Sequence, residues 1–476
     1  MRYLVRCFVT VGWCLALAGG LAAQSPGPAM VVDFGVRIPM RDGVPLVADV
    51  YRPAAPGRYP VILTRTPYNR NADGLLKAAR AFVARGYVYV AQDVRGRGDS
   101  EGEWRPYANE GPDGYDSIEW CAAQPWSTGR VGTIGQSYTA YNQWLAAVRQ
   151  PPHLAAMIVL ASMTDPMGDV WISGPGGLPT PTMISWYHLT ADHLNQNMDA
   201  VDWGRLNWHL PLLSMDSAAG RPNWRWRDVI RHSRLDEWWA PMRYQNQLER
   251  VQVPVLHVSG WYDDALRATP VNFEGMRTRG AGAVRNRQRL VIGPWPHQIN
   301  STSKLGEVDF GASAIIDLAG LQARWFDRWL KGEANGVDAE PAVRLFAMGS
   351  NRWFDAADWP IPGTRFTRFY LRSGGRANTL DGDGRLSLEA PSTAEPPDRY
   401  RADPSDPTPF LTEPSFAQLG GPEDYRPVER RSDVLVYTSE SFTQPTLVCG
   451  PLRARITAAS SARDTDFMVK VLDVHP

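Results

Sequence analysis

The chain has 476 residues, 43% of them hydrophobic, with 50 basic against 50 acidic side chains and a formal net charge of zero. That length has room for about three domains, and the apolar content suffices for large cores. A chain without net charge builds no field to gather nucleic acid or an anionic membrane, so the expected substrate is small or neutral.

Residues 1–23 carry Arg2 and Arg6, an apolar stretch from Cys7 to Leu17, and the small-residue run Ala18 to Ala23. This reads as a cleaved secretory signal, because Thr10, Gly12, Gly19 and Gly20 leave the apolar stretch too short and interrupted for a membrane anchor. Trp13 stands where a lipoprotein site would need a small residue before Cys14. Cys7 and Cys14 leave with the signal. Cys121 and Cys449 remain, too few for a disulfide framework and expected as buried free thiols.

The runs Val31 to Pro39 and Val44 to Tyr51 flank Met40-Arg-Asp-Gly43, a hairpin signature. Pro60 to Thr66 is a strand, Leu75 to Ala84 a helix, and Gly86 to Asp93 a buried strand. Asp93-Val-Arg-Gly-Arg-Gly-Asp-Ser100 is glycine-rich but precedes no clear helix, so a tight structural turn is expected in preference to a phosphate cradle. A helix over Asp113 to Ala123 and a turn at Trp126 to Gly129 follow. Alternating strands and helices imply a mostly parallel sheet covered on both faces.

Val131 to Ile134 suits a buried strand and Ala140 to Val148 a helix packed on it, with Gly135-Gln-Ser137-Tyr-Thr139 at the corner. A serine on so sharp a strand-to-helix turn has its hydroxyl lifted above the sheet edge, beside the first helical N–H groups. Thr139 occupies the second glycine of Gly-x-Ser-x-Gly, and a serine at such a corner also serves as a plain helix cap. Ala155 to Ala161 is the next strand. From 165 to 247 the pattern breaks into short helical pieces with eight tryptophans, among them Trp171, Trp186, Trp238 and Trp239. This stretch is expected to form an inserted helical cap, most of whose tryptophans are its own core while a few wall an apolar pocket over Ser137. His188, His193, His209 and His232 lie here at spacings that match no zinc motif.

Val253 to Gly260 is a strand, after which Trp261 to Asp264 open a helix expected to reach Thr278. Arg289 to Gly293 is another strand, ending in Pro294-Trp-Pro-His297, and an amphipathic helix spans Ala314 to Leu330. Two successive strands therefore deliver Asp263 and His297 to the carboxyl edge of the sheet where Ser137 sits, the edge at which such sheets bind ligands. Nucleophile, acid and histidine come in the chain order of α/β-hydrolases. Separately, Asp263 is a helix cap and His297 a loop residue; together they supply the base and its orienting acid. Asp264 competes for the acid role, and Asp263 is preferred as the first acid after the strand.

Beyond Gly336 the runs Val343 to Met348, Thr367 to Leu371, Asp433 to Tyr437, Leu452 to Ile456 and Asp466 to Leu472 alternate between Gly/Pro/Asp loops. A β-sandwich or jelly roll of galactose-binding-like type is expected. With the last run so close to Pro476, it is expected to be incomplete and to leave an open edge. Asp381-Gly-Asp-Gly384 begins like a calcium loop, but Ser392 stands where glutamate is needed, so a turn is expected. The organisation is therefore a signal (1–23), an α/β-hydrolase domain in two parts (24–164 and 248–335), a helical cap (165–247) and a β domain (336–476).

The motifs Arg65-Thr-Pro-Tyr68, Asp93-Val-Arg-Gly-Arg-Gly98, Glu119-Trp120 with Gln124-Pro-Trp126, Gly135-Gln-Ser-Tyr138, Gly260-Trp-Tyr-Asp263 and Gly293-Pro-Trp-Pro-His297 resemble those of the CocE/NonD serine hydrolases. That group contains cocaine esterase, X-Pro dipeptidyl-peptidases, α-amino-acid ester hydrolases and glutaryl cephalosporin acylases, and the likeness runs from Val31 to the C-terminus. It implies an α/β-hydrolase with a helical cap and a C-terminal jelly roll, the Tyr68 hydroxyl and the Tyr138 backbone N–H serving as oxyanion donors. Three positions depart from the pattern. Ala140 replaces the glycine usual three residues after the serine. Ala265 and Leu266 stand where members that grip an α-amino group have carboxylates, and an ammonium buried without such a partner costs several kcal/mol.

The expected function is a secreted or periplasmic serine hydrolase of ester or amide bonds, working through Ser137, His297 and Asp263 and needing neither metal nor organic cofactor. An X-Pro dipeptidyl-peptidase is the alternative enzyme, and a non-catalytic carbohydrate- or partner-binding protein the alternative of another class. The expected partner is a small ester, amide or short peptide, not nucleic acid and not membrane once the signal is removed, with self-association into a homo-oligomer left open.

Overall fold

The turn at Asp42-Gly43 forms, with Gly43 left-handed at φ 84°, and joins β1 (Met30–Pro39) to β2 (Pro45–Pro53) in an antiparallel pair. The structure, a computed structural model, describes residues 30–165, 179–180, 183–411, 421–463 and 465–474. The expected signal segment, residues 1–23, and Trp171 lie outside the described residues.

The sheet continues through β3 (Tyr59–Thr66), α1 (Asp73–Val83), β4 (Val88–Asp93), α2 (Glu110–Ala123), β5 (Ser127–Gln136), α3 (Tyr138–Ala147) and β6 (Leu154–Leu160). The cap follows as short helices: α4 (Met183–Leu189), α5 (Trp203–Leu206), α6 (Met215–Ala218) and α7 (Trp224–Arg231). Then come β7 (Val255–Tyr262), α8 (Ala268–Thr278), β8 (Gln288–Pro296), a small hairpin of β9 (Lys304–Leu305) and β10 (Val308–Asp309), α9 (Leu318–Phe326), β11 (Val343–Ala347) and β12 (Arg352–Ala356). The ten-stranded sheet has the order β1-β2-β4-β3-β5-β6-β7-β8-β11-β12, parallel from β4 to β11 and antiparallel at both edges. Its central strands read as continuous apolar runs because both faces are covered. On one face Trp144, Leu145 and Tyr141 of α3 pack over Val131 and Met157; on the other, Trp325 and Phe326 of α9 pack over Ile158 and Leu256. Each such fully buried side chain contributes roughly 1.5–3 kcal/mol of transfer free energy. The cap has a core of its own around Trp186, Tyr187, Trp226 and Trp239.

Several elements differ from the sequence reading. The helix expected to open at Trp261 starts only at Ala268, because the Asp263 side chain takes the Ala265 N–H at 3.0 Å and holds a turn there. The helix expected over Ala314 to Leu330 starts at Leu318, where the Asp317 carboxylate caps Gly320 N at 2.8 Å, and closes in a π turn over Asp327–Lys331. Val343 to Met348 is not confined to a separate β unit, for β11 pairs in parallel with β8 and β12 extends the main sheet. Beyond it the structure has β13 (Tyr370–Arg372) paired with β14 (Arg385–Ser387), and the four-residue α10 (Arg426–Glu429). The run from Asp433 reaches β14 only through a single parallel bridge, Thr438 to Arg385; those from Leu452 and Asp466 pair in no ladder among the described residues, and Leu452, Ile456, Met468 and Val471 are exposed. Alternation marks a surface suited to a strand, but a strand exists only where a neighbour accepts its hydrogen bonds. Asp381 to Gly384 is a turn in which the Asp383 carboxylate accepts from Gly374 N and Arg376 N. Cys121 is buried and free, whereas Cys449 is free but only partly buried.

The glycine-rich loop after β4 is structural. Arg70 is buried and donates to Asp93, to Asp49 at 3.1 Å and to Asp99 at 2.6 Å, binding the start of the loop to β2 and to the segment behind Tyr68. Removing that guanidinium would leave Asp49 and Asp93 buried without a counter-charge, holding only backbone N–H donors, a loss of about 3–5 kcal/mol. Arg70→Met is therefore expected to lower the urea midpoint by a corresponding amount, measured by far-UV circular dichroism.

Candidate active site

β5 ends at Gln136 and α3 begins at Tyr138, leaving Ser137 alone to make the turn, at φ 60° and ψ −125°. A non-glycine residue there costs of order 1–3 kcal/mol and must be held by its surroundings. The hold is visible. Ser137 N donates to Leu160 O at 3.0 Å, while Ser137 O accepts from Ala140 N and Tyr141 N. Thr139, which breaks the glycine pattern, accepts from Gln136 N and donates to Gln136 O through its hydroxyl, both at 2.7 Å, and so pins the elbow. The same hydroxyl explains Gly135, since a Cβ there would lie 2.3 Å from Thr139 Oγ1. The Ala140 methyl is accommodated, fully buried against the sheet.

β7 and β8 run side by side, and Gly260 lets them close: a Cβ on it would stand 1.9 Å from the Trp295 carbonyl. Their ends bring Asp263 and His297 together, with Nδ1 2.8 Å from Asp263 Oδ1. Asp263 is buried, and its Oδ2 accepts from Ser259 Oγ at 2.5 Å while Oδ1 also accepts from Ala265 N. An ionised carboxylate can only accept, so the imidazole carries its proton on Nδ1 and turns Nε2 away from the acid. Asp264 approaches the same Nδ1 at 3.3 Å, but its side chain is 66% exposed. Burial would pull the imidazolium down; hydrogen bonds and charge from Asp263 and then Asp264 outweigh it and hold His297 at about 10. Crowding of protein around the Asp264 carboxylate opposes its ionisation even though much of the side chain meets solvent, yet the hydrogen bond to His297 keeps it below the usual carboxylate range.

Ser137 meets the histidine loop through its neighbour, Gln136 Nε2 donating to His297 O. No direct hydrogen bond joins the Ser137 hydroxyl to the imidazole. The hydroxyl instead lies within hydrogen-bonding reach of Tyr68, whose oxygen accepts from Trp186 Nε1 of the cap at 3.1 Å. Bonds of this kind commonly tighten only once substrate is bound. Tyr138 divides its roles. Its backbone N–H is the first of α3, without a partner inside the helix. Its phenol is buried, accepting from Tyr107 N at 3.0 Å and donating to Glu110 at 2.8 Å, with Glu110 paired to Arg65 at 2.7 Å.

A cavity of about 260 Å³ lies between the cap and the sheet edge, walled by Tyr107, Tyr141, Met183, Trp186, Trp238 and Trp239. Trp186 connects it to Tyr68. The cap histidines take local roles: His209 bonds Ser214, His232 bonds Asp236 and stacks on Trp238, and His188 packs on Trp203. Among the described residues Asp263, Asp264 and His297 are the one group whose ligand atoms converge as a metal site would, within 4.8 Å. Both oxygens of Asp263 already accept protein hydrogens, one of them from Nδ1 of His297.

Sequence reasoning missed Ser259, which anchors Asp263, and Gln136, which ties the elbow to the histidine loop. Period-two position on a strand is the only signal Ser259 carries. Titration of His297 by NMR tests the electrostatics. Asp264→Asn is expected to lower its pKa and Asp263→Asn to lower it further, since each removes a charge that favours the imidazolium.

Residues 42–299 match the family described as X-Pro dipeptidyl-peptidase (S15 family), and 335–476 match the X-Pro dipeptidyl-peptidase C-terminal non-catalytic domain. The chain is 36% identical over 473 residues to the cocaine esterase of Rhodococcus sp. (strain MB1 Bresler), covering 94% of this chain and 80% of that protein. Among solved structures it is similar to an α-amino acid ester hydrolase, at TM-score 0.72 and 25% identity over 92% of this chain and 77% of the other. An aminopeptidase from a marine sediment Thaumarchaeota archaeon superimposes at TM-score 0.66 with 25% identity, covering 85% and 71%.

Proposed function

This chain belongs to the S15 family of X-Pro dipeptidyl-peptidases and CocE/NonD-type hydrolases and is a serine hydrolase; from that premise we propose that it is an exported esterase or acylase of small acyl substrates working through Ser137, His297 and Asp263. The observation that carries the reading is the Asp263–His297 hydrogen bond beside a serine held at positive φ.

Ser137 Oγ attacks the substrate carbonyl while His297 Nε2 takes its proton, and the C=O pair moves onto oxygen. Tyr68 Oη–H and the Tyr138 N–H donate to that oxyanion. The Tyr68 oxygen accepts from Trp186 and lies within reach of the Ser137 hydroxyl, so its own proton can turn to the oxyanion as that serine attacks. Collapse expels the alcohol or amine, protonated by His297, and leaves an acyl-enzyme that water cleaves by the same steps reversed. Asp263 fixes the imidazole throughout and stabilises its charged form. The cavity walled by aromatic residues receives one side of the substrate.

Ala265 is buried and Leu266 packs against the core, so neither position offers an ammonium a partner, which favours esters without a free α-amino group. The X-Pro dipeptidyl-peptidase reading has one observation of its own: Glu237 lines the cavity and is exposed, a carboxylate within the cap. p-Nitrophenyl esters assayed beside an Ala-Pro anilide separate the two, with ester turnover expected to dominate and preference for the anilide reversing the choice. A fluorophosphonate is expected to label the wild type and leave Ser137→Ala unlabelled, with kcat lost on the order of 10⁶-fold.

The base must be neutral to act, and its conjugate acid titrates at about 10. Below that value the neutral fraction, and with it kcat/KM, falls about tenfold per pH unit, so the rate is expected to climb through neutrality instead of levelling above ~6.5. Export rests on residues 1–23, and mass spectrometry of protein recovered outside the cytoplasm is expected to find a chain beginning after Ala23.

A further inference from the structure

Among the described residues five arginines are buried, and four have carboxylate partners: Arg65 with Glu110, Arg70 with Asp49 and Asp93, Arg95 with Asp113, and Arg289 with Glu340. Arg97 is fully buried and pairs with none. Its Nε donates to Pro67 O at 2.5 Å, one terminal nitrogen to Thr190 O at 3.1 Å and the other to Asn195 Oδ1 at 2.7 Å, while its plane lies 5.2 Å from the Trp104 ring. Carbonyl and amide oxygens satisfy the donors but put no carboxylate in contact with the charge; the field of Asp93 reaches it, yet that carboxylate is already paired with Arg70.

Two facts say where that charge acts. Pro67 immediately precedes Tyr68, so the guanidinium holds the peptide that carries the phenol. Thr190 and Asn195 belong to the cap, and Thr190 follows the helix whose Trp186 donates to the Tyr68 oxygen. Arg97 thus fastens Tyr68 from behind and the cap from the side through one rigid fork. Its field also reaches the phenol: burial raises the Tyr68 pKa, while Trp186, Ser137 and Arg97 each draw it back. Burial and the neighbouring Arg225 lower Arg97 itself to about 10, which still leaves it charged at neutral pH.

We propose that Arg97 is a positioning residue for the hydrolytic reaction, acting through Tyr68, and that the counter-charge it lacks in the resting enzyme is supplied by the oxyanion of the transition state. The idea rests on the assignment of Tyr68 as an oxyanion donor. Charge placed near a developing anion lowers the barrier without tightening ground-state binding, so its effect belongs in kcat and not in KM.

The test is a double-mutant cycle on p-nitrophenyl ester hydrolysis, with melting temperatures recorded for every variant. Tyr68→Phe is expected to lower kcat by about 10²–10³-fold. Arg97→Gln, which keeps hydrogen-bonding capacity without charge, is expected to lower kcat by roughly 10–100-fold with KM within about threefold, and by less than about twofold in the Y68F background. Arg97→Lys, which keeps the charge, is expected to recover most of the loss. Equal losses from R97Q in both backgrounds, a loss confined to KM and melting temperature, or R97K as poor as R97Q would each overturn the proposal while leaving the Tyr68 assignment intact. Wild-type kcat in Y68F would remove that assignment and the proposal with it. Should R97Q not accumulate as folded protein, the cycle is run with R97K and Asn195→Ala: R97K is expected to retain most activity and its residual loss to vanish in Y68F, and a loss that persists there counts against the proposal.

Discussion

The Asp263 carboxylate is the fixed point of this site. It accepts from Ser259 on β7, from the backbone of the turn that follows, and from the histidine brought in by β8. Each partner comes from a different piece of backbone, so their geometry is set by the sheet and not by a flexible loop. Adjacent parallel strands must end on one edge, and β5, two places along behind β6, ends on that edge too. A buried acid with every oxygen engaged has no freedom to rotate, and an imidazole bound to it has one tautomer and one direction to face.

The chain's lack of net charge conceals strong local fields. Glu110 and Arg65 are buried beneath the Tyr138 phenol, Arg70 gathers three aspartates behind Tyr68, and two guanidiniums, Arg97 and Arg225, lie over the Trp104 ring at 5.2 and 5.3 Å. Low local dielectric makes each of these count for more than a surface charge would. The tyrosine after the elbow shows how such a network reaches the turn itself, its buried phenol tying the start of α3 to Glu110 and to the Tyr107 backbone.

The central sheet was legible because β3 to β8 are apolar on both faces and separated by helix-length intervals, a pattern with few other solutions. Ser137, Asp263 and His297 were legible because they sit at strand ends in an order that chemistry makes meaningful. The supporting residues were not. Thr139 looked like a defect in a glycine motif and is the clamp of the elbow, which only its hydroxyl's proximity to the Gln136 backbone reveals. Helix starts after Asp263 and at Asp317 were misjudged because a carboxylate that captures a nearby N–H delays the helix without changing its apolar spacing. Towards the C-terminus the alternation was real but its pairing was not readable, since register and neighbours are non-local properties.

The strand that carries His297 is not the edge of its sheet. β8 is flanked by β11, which comes from the region matched by the C-terminal family, and β12 then closes that side. A protein shortened at the boundary between the two family matches would strip β8 of its outer neighbour. A row of unanswered amide and carbonyl groups would then be bared along Leu290 to Ile292, on the strand that leads to the imidazole, inviting intermolecular strand addition at a place poorly able to tolerate distortion. The non-catalytic region is in this sense a selvedge, woven into the catalytic cloth to keep its working border from fraying.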